Sequence, residues 1–95
     1  MLSKVKLALR INSDDFDTEI NSLINACKKE LELAGIASSK IVETDDMIVQ
    51  AVTNYCKANF GFDNNEAERF LATYNSIKSF LCLCQSYINP PTNNN

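Results

Sequence analysis

Hydrophobic residues recur at helical spacing along four stretches of the chain. In the most regular stretch, which begins at Phe16, the apolar positions fall every three or four residues and are confined to one stripe of a helix. The members of this stripe are Phe16, Ile20, Leu23, Ile24, Cys27, Leu31 and Ala34. Polar residues occupy the opposite side, and Gly35 follows as a stop signal. The pattern predicts an amphipathic helix from Phe16 to Ala34.

A shorter stretch precedes this helix. Leu2, Val5 and Leu9 lie on one side of residues 2–10, which predicts a short helix that needs its neighbours to persist. The polar and acidic residues 12–15 then favour a helix start, because they suit its unpaired N–H groups and its dipole. Residues 36–43 show no sustained period and are interpreted as a connecting loop.

The third stretch predicts a helix that runs to about Phe60, with Thr44 as its cap and with Asp45 and Asp46 at its positive end. More than half of its circumference is apolar: Met47, Ile48, Ala51, Val52, Tyr55, Cys56 and Phe60. The polar sector holds Gln50, Thr53, Asn54 and Lys57. Such a helix is expected to pack on several neighbours or on another subunit.

The junction before the fourth stretch combines a helix stop with a helix start. Gly61 suits the left-handed position that closes a helix, and Phe62 is placed to fold back onto the last turn. Asp63 is a candidate cap for the next helix, with Glu66 as its partner in a capping box. These residues predict a tight helical hairpin.

The fourth helix is expected from about Asn64 to Tyr87, before the two prolines at 90–91. Its main apolar stripe consists of Phe70, Tyr74, Ile77, Leu81, Cys84 and Ile88, of which Phe70 and Tyr74 are assigned to the core. Phe80, Leu83 and Tyr87 lie off this stripe. They form a second apolar patch, which a domain of this size is not expected to bury by itself.

Together these elements predict an all-α fold, a single small domain of about four helices in which a short first helix is followed by three longer ones. Residues 1–89 are assigned to this domain and residues 90–95 to a flexible polar tail. No apolar run approaches the roughly 18 residues of a membrane span, and no signal peptide is recognised. The protein is therefore expected to be made and kept in the cytosol.

Neither an enzyme nor a cofactor or metal site is predicted. The chain has no histidine, no Gly-rich phosphate loop and no serine in a nucleophile elbow. The acidic residues lie at predicted helix starts, where capping and the dipole explain them. Cys27, Cys56, Cys82 and Cys84 lack the spacing of zinc ligands and are interpreted as reduced, buried residues.

A helix-turn-helix regulator is the main alternative, since two helices joined by a short turn at Gly61 fit its outline. The recognition helix would be the fourth, whose only cations are Arg69 and Lys78. Asn64 and Asn65 at its start have side chains that can read bases, but the neighbouring acidic residues would repel phosphate. The net charge of −3 also argues against a protein built to coat nucleic acid.

Several segments resemble a known family. Residues 2–11, then Asp14 and Asp15, then residues 20–26 are similar to the first half of the head-tail connector proteins of tailed bacteriophages. Residues 48–70 look like the version carried by phages and prophages of Gram-positive bacteria, and the phrase continues through residues 74–81.

The resemblance implies a virion structural protein, an adaptor at the head-tail junction that is made in the host bacterial cytoplasm. Such subunits form a ring, commonly of twelve, beneath the portal protein, where they extend the DNA channel and carry the next neck or tail protein, a stopper or tail-completion protein. DNA is expected to pass without sequence-specific binding. The family is described as docking onto the portal through its C-terminal helix and tail, here roughly residues 81–95.

A ring built from head-to-tail contacts needs two different surfaces on each subunit. The candidate residues for contact with another subunit or with the portal are Phe80, Leu83, Tyr87, Ile88, Met47 and Val49.

Overall fold

The computed structural model describes residues 1–61 and 64–88. These residues form four α-helices: α1 (Leu2–Leu9), α2 (Asp17–Leu33), α3 (Asp46–Asn59) and α4 (Ala67–Leu83). One 3₁₀ turn, Ser38–Lys40, lies in the connection between α2 and α3. The only pairing of extended backbone in this part of the chain is an isolated antiparallel bridge between Ile36 and Ile88. The predicted all-α fold with a short first helix is confirmed.

Helix α3 lies at the centre of the fold, because it packs against all three other helices and most extensively against α4. The expectation that α3 packs on several neighbours is therefore confirmed. Thr53 was assigned to its polar sector, but only 7% of Thr53 is exposed. Packing against three helices leaves little of the α3 surface to water, and a threonine is small enough to be covered.

The core combines one side of each of the four helices with two residues of the loop between α2 and α3. Phe70, which was assigned to the core, is only half-buried and lies outside it, whereas Tyr74 is fully buried as expected. Ile36 is fully buried and Ile41 nearly so, although their segment shows no periodicity. The complete buried hydrophobic set is Val5, Ile20, Ile24, Cys27, Leu31, Ile36, Ile41, Ile48, Ala51, Val52, Cys56, Tyr74 and Leu81. The loop therefore closes one end of the core.

Helix α1 ends at a residue in the left-handed conformation, which its sequence does not predict. Arg10 has φ 61° and ψ 42°, and its N–H donates to the carbonyl of Leu7. The N–H of Ile11 donates to the carbonyl of Lys6 at 3.0 Å. This is the Schellman arrangement, which usually recruits glycine.

Helix α2 ends in the same way, with Gly35 in the expected place. Gly35 has φ 110°, its N–H donates to Glu32, and the N–H of Ile36 donates to Leu31. The predicted helix stop is confirmed.

The start of α3 corrects one assignment. Asp45, not Thr44, caps the helix, because its Oδ1 accepts hydrogen bonds from the N–H groups of Met47 (2.9 Å) and Ile48 (3.4 Å). The backbone of Asp45 is extended, with φ −100° and ψ 114°, as the cap position requires. Thr44 lies one residue too early to reach these donors.

The α3–α4 junction is confirmed in part. Gly61 has φ 86°, in the predicted left-handed region. Phe62 and Asp63, with their predicted roles in folding back and capping, lie outside the described residues. Helix α4 begins at Ala67, three residues later than expected, because the Oδ1 of Asn64 accepts from the N–H of Glu66 and holds a turn before the helix.

Helix α4 also ends early, at Leu83 and not at Tyr87. Cys84 is extended, and the N–H of Tyr87 donates to its carbonyl in a tight turn. The backbone carbonyl of Tyr87 then accepts from the N–H of Ala37 at 2.8 Å. A tertiary contact with the α2–α3 loop has therefore replaced the last helical turn. The proposed tail, residues 90–95, lies outside the described residues.

Replacing Gly35 with alanine is expected to lower the free energy of unfolding by about 1–2 kcal/mol, since a Cβ disfavours positive φ. The added Cβ would meet no atom within 4 Å, so the cost is conformational and not steric. Gly35→Asn is the matched control and should lose less, because asparagine tolerates the left-handed region better than alanine does. Urea denaturation measures both, and equal losses would contradict the assignment.

Candidate assembly surface

Two of the six candidate contact residues form an exposed apolar patch on α4. Phe80 is 53% exposed and Leu83 is 84% exposed. They are three residues apart, so their side chains are neighbours on one face of the helix. We call this pair the α4 patch.

The other four candidates are partly covered by their own chain. The hydroxyl of Tyr87 donates to Oδ2 of Asp45 at 2.8 Å, which raises the pKa of Tyr87. Ile88 pairs with Ile36, and both Met47 and Val49 are half-buried. Met47 and Tyr87 pack against the core. The structure therefore places Phe80 and Leu83 together at the surface and Tyr87 away from them.

Five further large apolar residues are exposed although the sequence did not mark them: Leu7, Phe16, Leu33, Val42 and Leu71. Phe16 among them was assigned to the core-facing stripe of α2. Leu7 is 80% exposed and borders an open groove of about 580 Å³, whose other lining residues are Ala8, Arg10, Asn12 and Lys57. The available signal was its position off the stripe of Leu2, Val5 and Leu9. We call these five lining residues the α1 groove. It carries two cations beside an apolar side chain.

Aromatic contacts involve Lys57, which lines the groove, and residues at the ends of α2 and α3. Phe16 and Phe60 meet edge to face, with ring centroids 5.5 Å apart. Lys57 and Arg69 both lie over the ring of Phe70, at 5.2 Å and 4.6 Å from its centroid. These cation–π contacts limit the positions available to the Lys57 side chain, which lines the groove.

A polar cluster joins α2 to α4 at the edge of the core, with Tyr74 buried and both Glu30 and Lys78 partly exposed. The carboxylate Oε1 of Glu30 accepts from the hydroxyl of Tyr74 (2.8 Å) and from Nζ of Lys78 (2.9 Å). Tyr74 is fully buried, and its ring meets Tyr55 of α3 edge to face at 5.2 Å. Desolvation opposes ionisation of Glu30, but the two hydrogen bonds prevail and lower its pKa below 4.5. The cluster fixes the rotation of α4, and hence the direction in which the α4 patch faces.

A second ionic contact ties α1 to the start of α2. Nζ of Lys6 lies 2.8 Å from Oδ1 of Asp14 and 2.7 Å from Oδ1 of Asp17. The bond to Lys6 lowers the pKa of Asp14, and the two acceptors raise the pKa of Lys6. No side-chain cap forms at the start of α2, which corrects the expectation of capping, but Asp17 lies in the first turn, where the helix dipole favours it as expected.

The cysteines divide into two classes, and all four are free thiols. Cys27 and Cys56 are fully buried, and burial raises the pKa of each thiol to about 12. Cys82 and Cys84 are only half-buried, which corrects the expectation of burial for that pair.

Other kinds of site find little support in the described part of the chain. It contains no group of three cysteine or acidic side chains arranged to hold a metal ion. Within the same residues, no helix has the length and apolar character needed to cross a bilayer.

Comparison with known proteins identifies a family. Residues 1–87 match the family model described as phage connector protein. No curated protein and no solved structure matches the chain significantly.

The Glu30 cluster makes stability depend on pH. A carboxyl whose folded pKa is depressed stabilises the fold above its unfolded pKa, near 4.5, and loses that contribution as pH falls through the folded value. Glu30→Gln is expected to lower the midpoint of thermal unfolding at neutral pH by about 4–8 °C, the shift produced by about 1 kcal/mol in a small domain.

The difference between wild type and Glu30→Gln should shrink as the pH falls from about 4.5 through the depressed folded pKa of Glu30, because the protonated carboxyl is uncharged, as glutamine is. Glu32→Gln on the same helix is the control, because Glu32 is exposed and forms no ion pair within the described residues. A difference that persists unchanged at low pH would show that charge on Glu30 is irrelevant.

Thiol reactivity is expected to separate the two classes of cysteine. At about pH 8 a thiolate-specific reagent should modify Cys82 and Cys84 in the native protein, whereas Cys27 and Cys56 should react only on unfolding. Mass spectrometry of peptides after brief labelling identifies the sites, and labelling in denaturant provides the total of four. Early modification of Cys27 would contradict the described core.

Proposed function

The chain belongs to the phage connector protein family, and on that premise we propose that it forms a ring beneath the portal of a tailed phage. Membership implies a phage connector role, as a virion component that contacts portal and neck proteins. We further propose that the ring extends the DNA channel, carries the next neck or tail protein, and contains twelve subunits. The family resemblance supports a phage or prophage of Gram-positive bacteria, with synthesis in the host cytoplasm.

The observation that carries the ring proposal is apolar surface left exposed on several separate elements, with α1 and α4 among them. The α4 patch projects from a helix that packs mainly on α3, and Leu7 projects from α1, which packs on α2 and α3. A head-to-tail contact joins two different surfaces of identical subunits and closes into a ring when the rotation permits. The α4 patch and the α1 groove supply such a pair.

The chemistry of the two surfaces is suited to weak individual contacts. Full burial of one leucine or phenylalanine is worth about 1.5–3 kcal/mol, so three such side chains provide several kcal/mol before the cost of association. Contacts of that strength favour assembly on a template, where each subunit meets its neighbours and the portal together.

Charge is consistent with a channel through which DNA slides. The chain has a net charge of −3, so DNA would not be held electrostatically. Both cations of α4 are already paired, Arg69 with Glu66 and Lys78 with Glu30.

The turn that precedes α4 is poorly equipped for the alternative role in DNA recognition. Nδ2 of Asn64 donates to the carbonyl of Lys57, and its Oδ1 accepts from the N–H of Glu66. The side chain is therefore engaged in the turn and not presented to a base edge. A salt-sensitive shift of duplex DNA by the purified protein would revive the regulator hypothesis.

The proposed ring is tested by negative-stain electron microscopy of the protein mixed with the portal protein encoded beside it. Wild type should add a ring to the portal, and both Leu7→Ser and the double variant Phe80→Ser/Leu83→Ser should fail to do so. These side chains are exposed, so stability should change by less than about 0.5 kcal/mol per site. Leu71→Ser is the control, since Leu71 is exposed on a different face of α4.

Mixing the two defective variants tests the head-to-tail geometry. Each retains one intact surface, so an equimolar mixture added to the portal should contribute isolated pairs of subunits at most and no closed rings. Loss of assembly only in the α4 variant would indicate that like patches meet. Unchanged rings in all variants would remove both surfaces from the proposal.

A further inference from the structure

Helix α4 stops where its sequence would continue. The apolar stripe extends beyond Leu83 to Cys84 and Ile88, and residues 62–89 contain neither glycine nor proline. Cys84 has φ −91° and ψ 118°, so no left-handed residue closes the helix as Arg10 closes α1. The end of α4 is therefore not encoded by a local stop signal.

Tertiary contacts hold residues 84–88, which we call the clasp, in their non-helical form. The N–H of Ala37 donates to the carbonyl of Tyr87 at 2.8 Å, and Ile88 bridges to Ile36. The hydroxyl of Tyr87 donates to Oδ2 of Asp45 at 2.8 Å, while Oδ1 of the same carboxylate caps α3. The clasp thus connects the end of α4 to the loop and to the start of α3.

These contacts compete with a helical continuation of α4. Continuing α4 through residue 88 would pair carbonyls at its C-terminal end that lack intrahelical partners in the clasp form. Each form therefore gains hydrogen bonds that the other lacks, and burial of a few side chains can shift the equilibrium between them.

Extension would move Tyr87 to the α4 patch. In a continuous helix the side chains of Phe80, Leu83 and Tyr87 fall within about 60° of one another, because each residue advances about 100°. In the clasp, by contrast, Tyr87 is directed to Asp45. The clasp consequently withholds one aromatic side chain from the exposed apolar surface.

We propose that residues 84–88 exchange between the clasp and a helical continuation of α4, and that a second copy of the chain contacts the extended form through Phe80, Leu83 and Tyr87. The exchange is a property of the single chain. Its link to assembly rests on the proposed ring. In the clasped form the contact surface is incomplete, which would keep free subunits from associating before they reach the portal.

The exchange is tested without any partner by the variant Tyr87→Phe, which removes the bond to Asp45. Amide hydrogen exchange at Ala37 should become about tenfold faster, as expected for loss of a hydrogen bond to a charged group. The Cα chemical shifts of residues 84–88 should move toward helical values. The amides of Gly35 and Ile36 are internal controls, because they donate within the α2 terminus and should remain protected.

Unchanged exchange at Ala37 would overturn the proposal. Faster exchange with disordered shifts at 84–88 would overturn it equally, since the segment would then fray and not form a helix.

Two substitutions of Gln85 test the helical form directly, because one blocks the helical continuation of α4 and the other favours it. Gln85→Pro suits the clasp, because proline is favoured at the second position of the turn between Cys84 and Tyr87, and the extended Cys84 suits a residue before proline. It blocks the helix, in which the ring would clash with the carbonyl of Leu81. Gln85→Ala favours the helix, and Gln85 itself is exposed.

Gln85→Pro should slow amide hydrogen exchange at Ala37 below the wild-type rate. It should also reduce ring formation on the portal at least about tenfold relative to Gln85→Ala. A tenfold reduction corresponds to raising the free energy of the assembly-competent form by about 1.4 kcal/mol. Equal assembly by the two variants would overturn the link between extension and the ring. If neither wild type nor Gln85→Ala forms a ring, the proposed function fails, whereas exchange at Ala37 still decides whether the clasp opens.

Discussion

The fold depends on the burial of α3. This helix presents apolar side chains over most of its circumference, and α1, α2 and α4 each cover part of that surface. Because a domain of 95 residues has one small core, removal of any covering helix would expose α3 itself. The position of every other element, including the exposed apolar residues of α1 and α4, follows from how it packs against α3.

Burial alone does not fix the rotation of these helices, and polar contacts supply the missing constraint. The carboxylate of Glu30 holds Tyr74 and Lys78 and so sets which face of α4 is turned to the core. The ion pairs of Lys6 act similarly between α1 and the start of α2. A buried hydroxyl such as that of Tyr74 must find a partner, so its bond selects one orientation among several that would bury similar apolar area. Directional polar contacts therefore set the orientation of the surfaces proposed for assembly.

Asp45 links local structure to the end of the chain. One oxygen of its carboxylate caps α3, and the other accepts from Tyr87, so a single side chain stabilises the start of one helix and the early end of another. For a connector protein this arrangement has a physical rationale. If free subunits remain separate until they meet the portal, as proposed, holding part of the contact surface in the subunit's own fold prevents early association. The same apolar and aromatic residues can then serve the free and the assembled states.

The sequence by itself determined the number and type of the helices, the stop at Gly35 and the family, because these follow from spacing along one chain. It also indicated that Phe80 and Leu83 lie off the buried stripe, and both are exposed. Only the tertiary structure decided the burial of Ile36, the cap at Asp45, the left-handed Arg10 and the end of α4 at Leu83. Each of these features depends on partners that are distant in sequence or on a backbone conformation that the residue type does not predict. Tyr87 shows the difference most clearly: its spacing places it with Phe80 and Leu83 on a helix, but hydrogen bonds to Ala37 and Asp45, more than 40 residues away, outweigh the local preference.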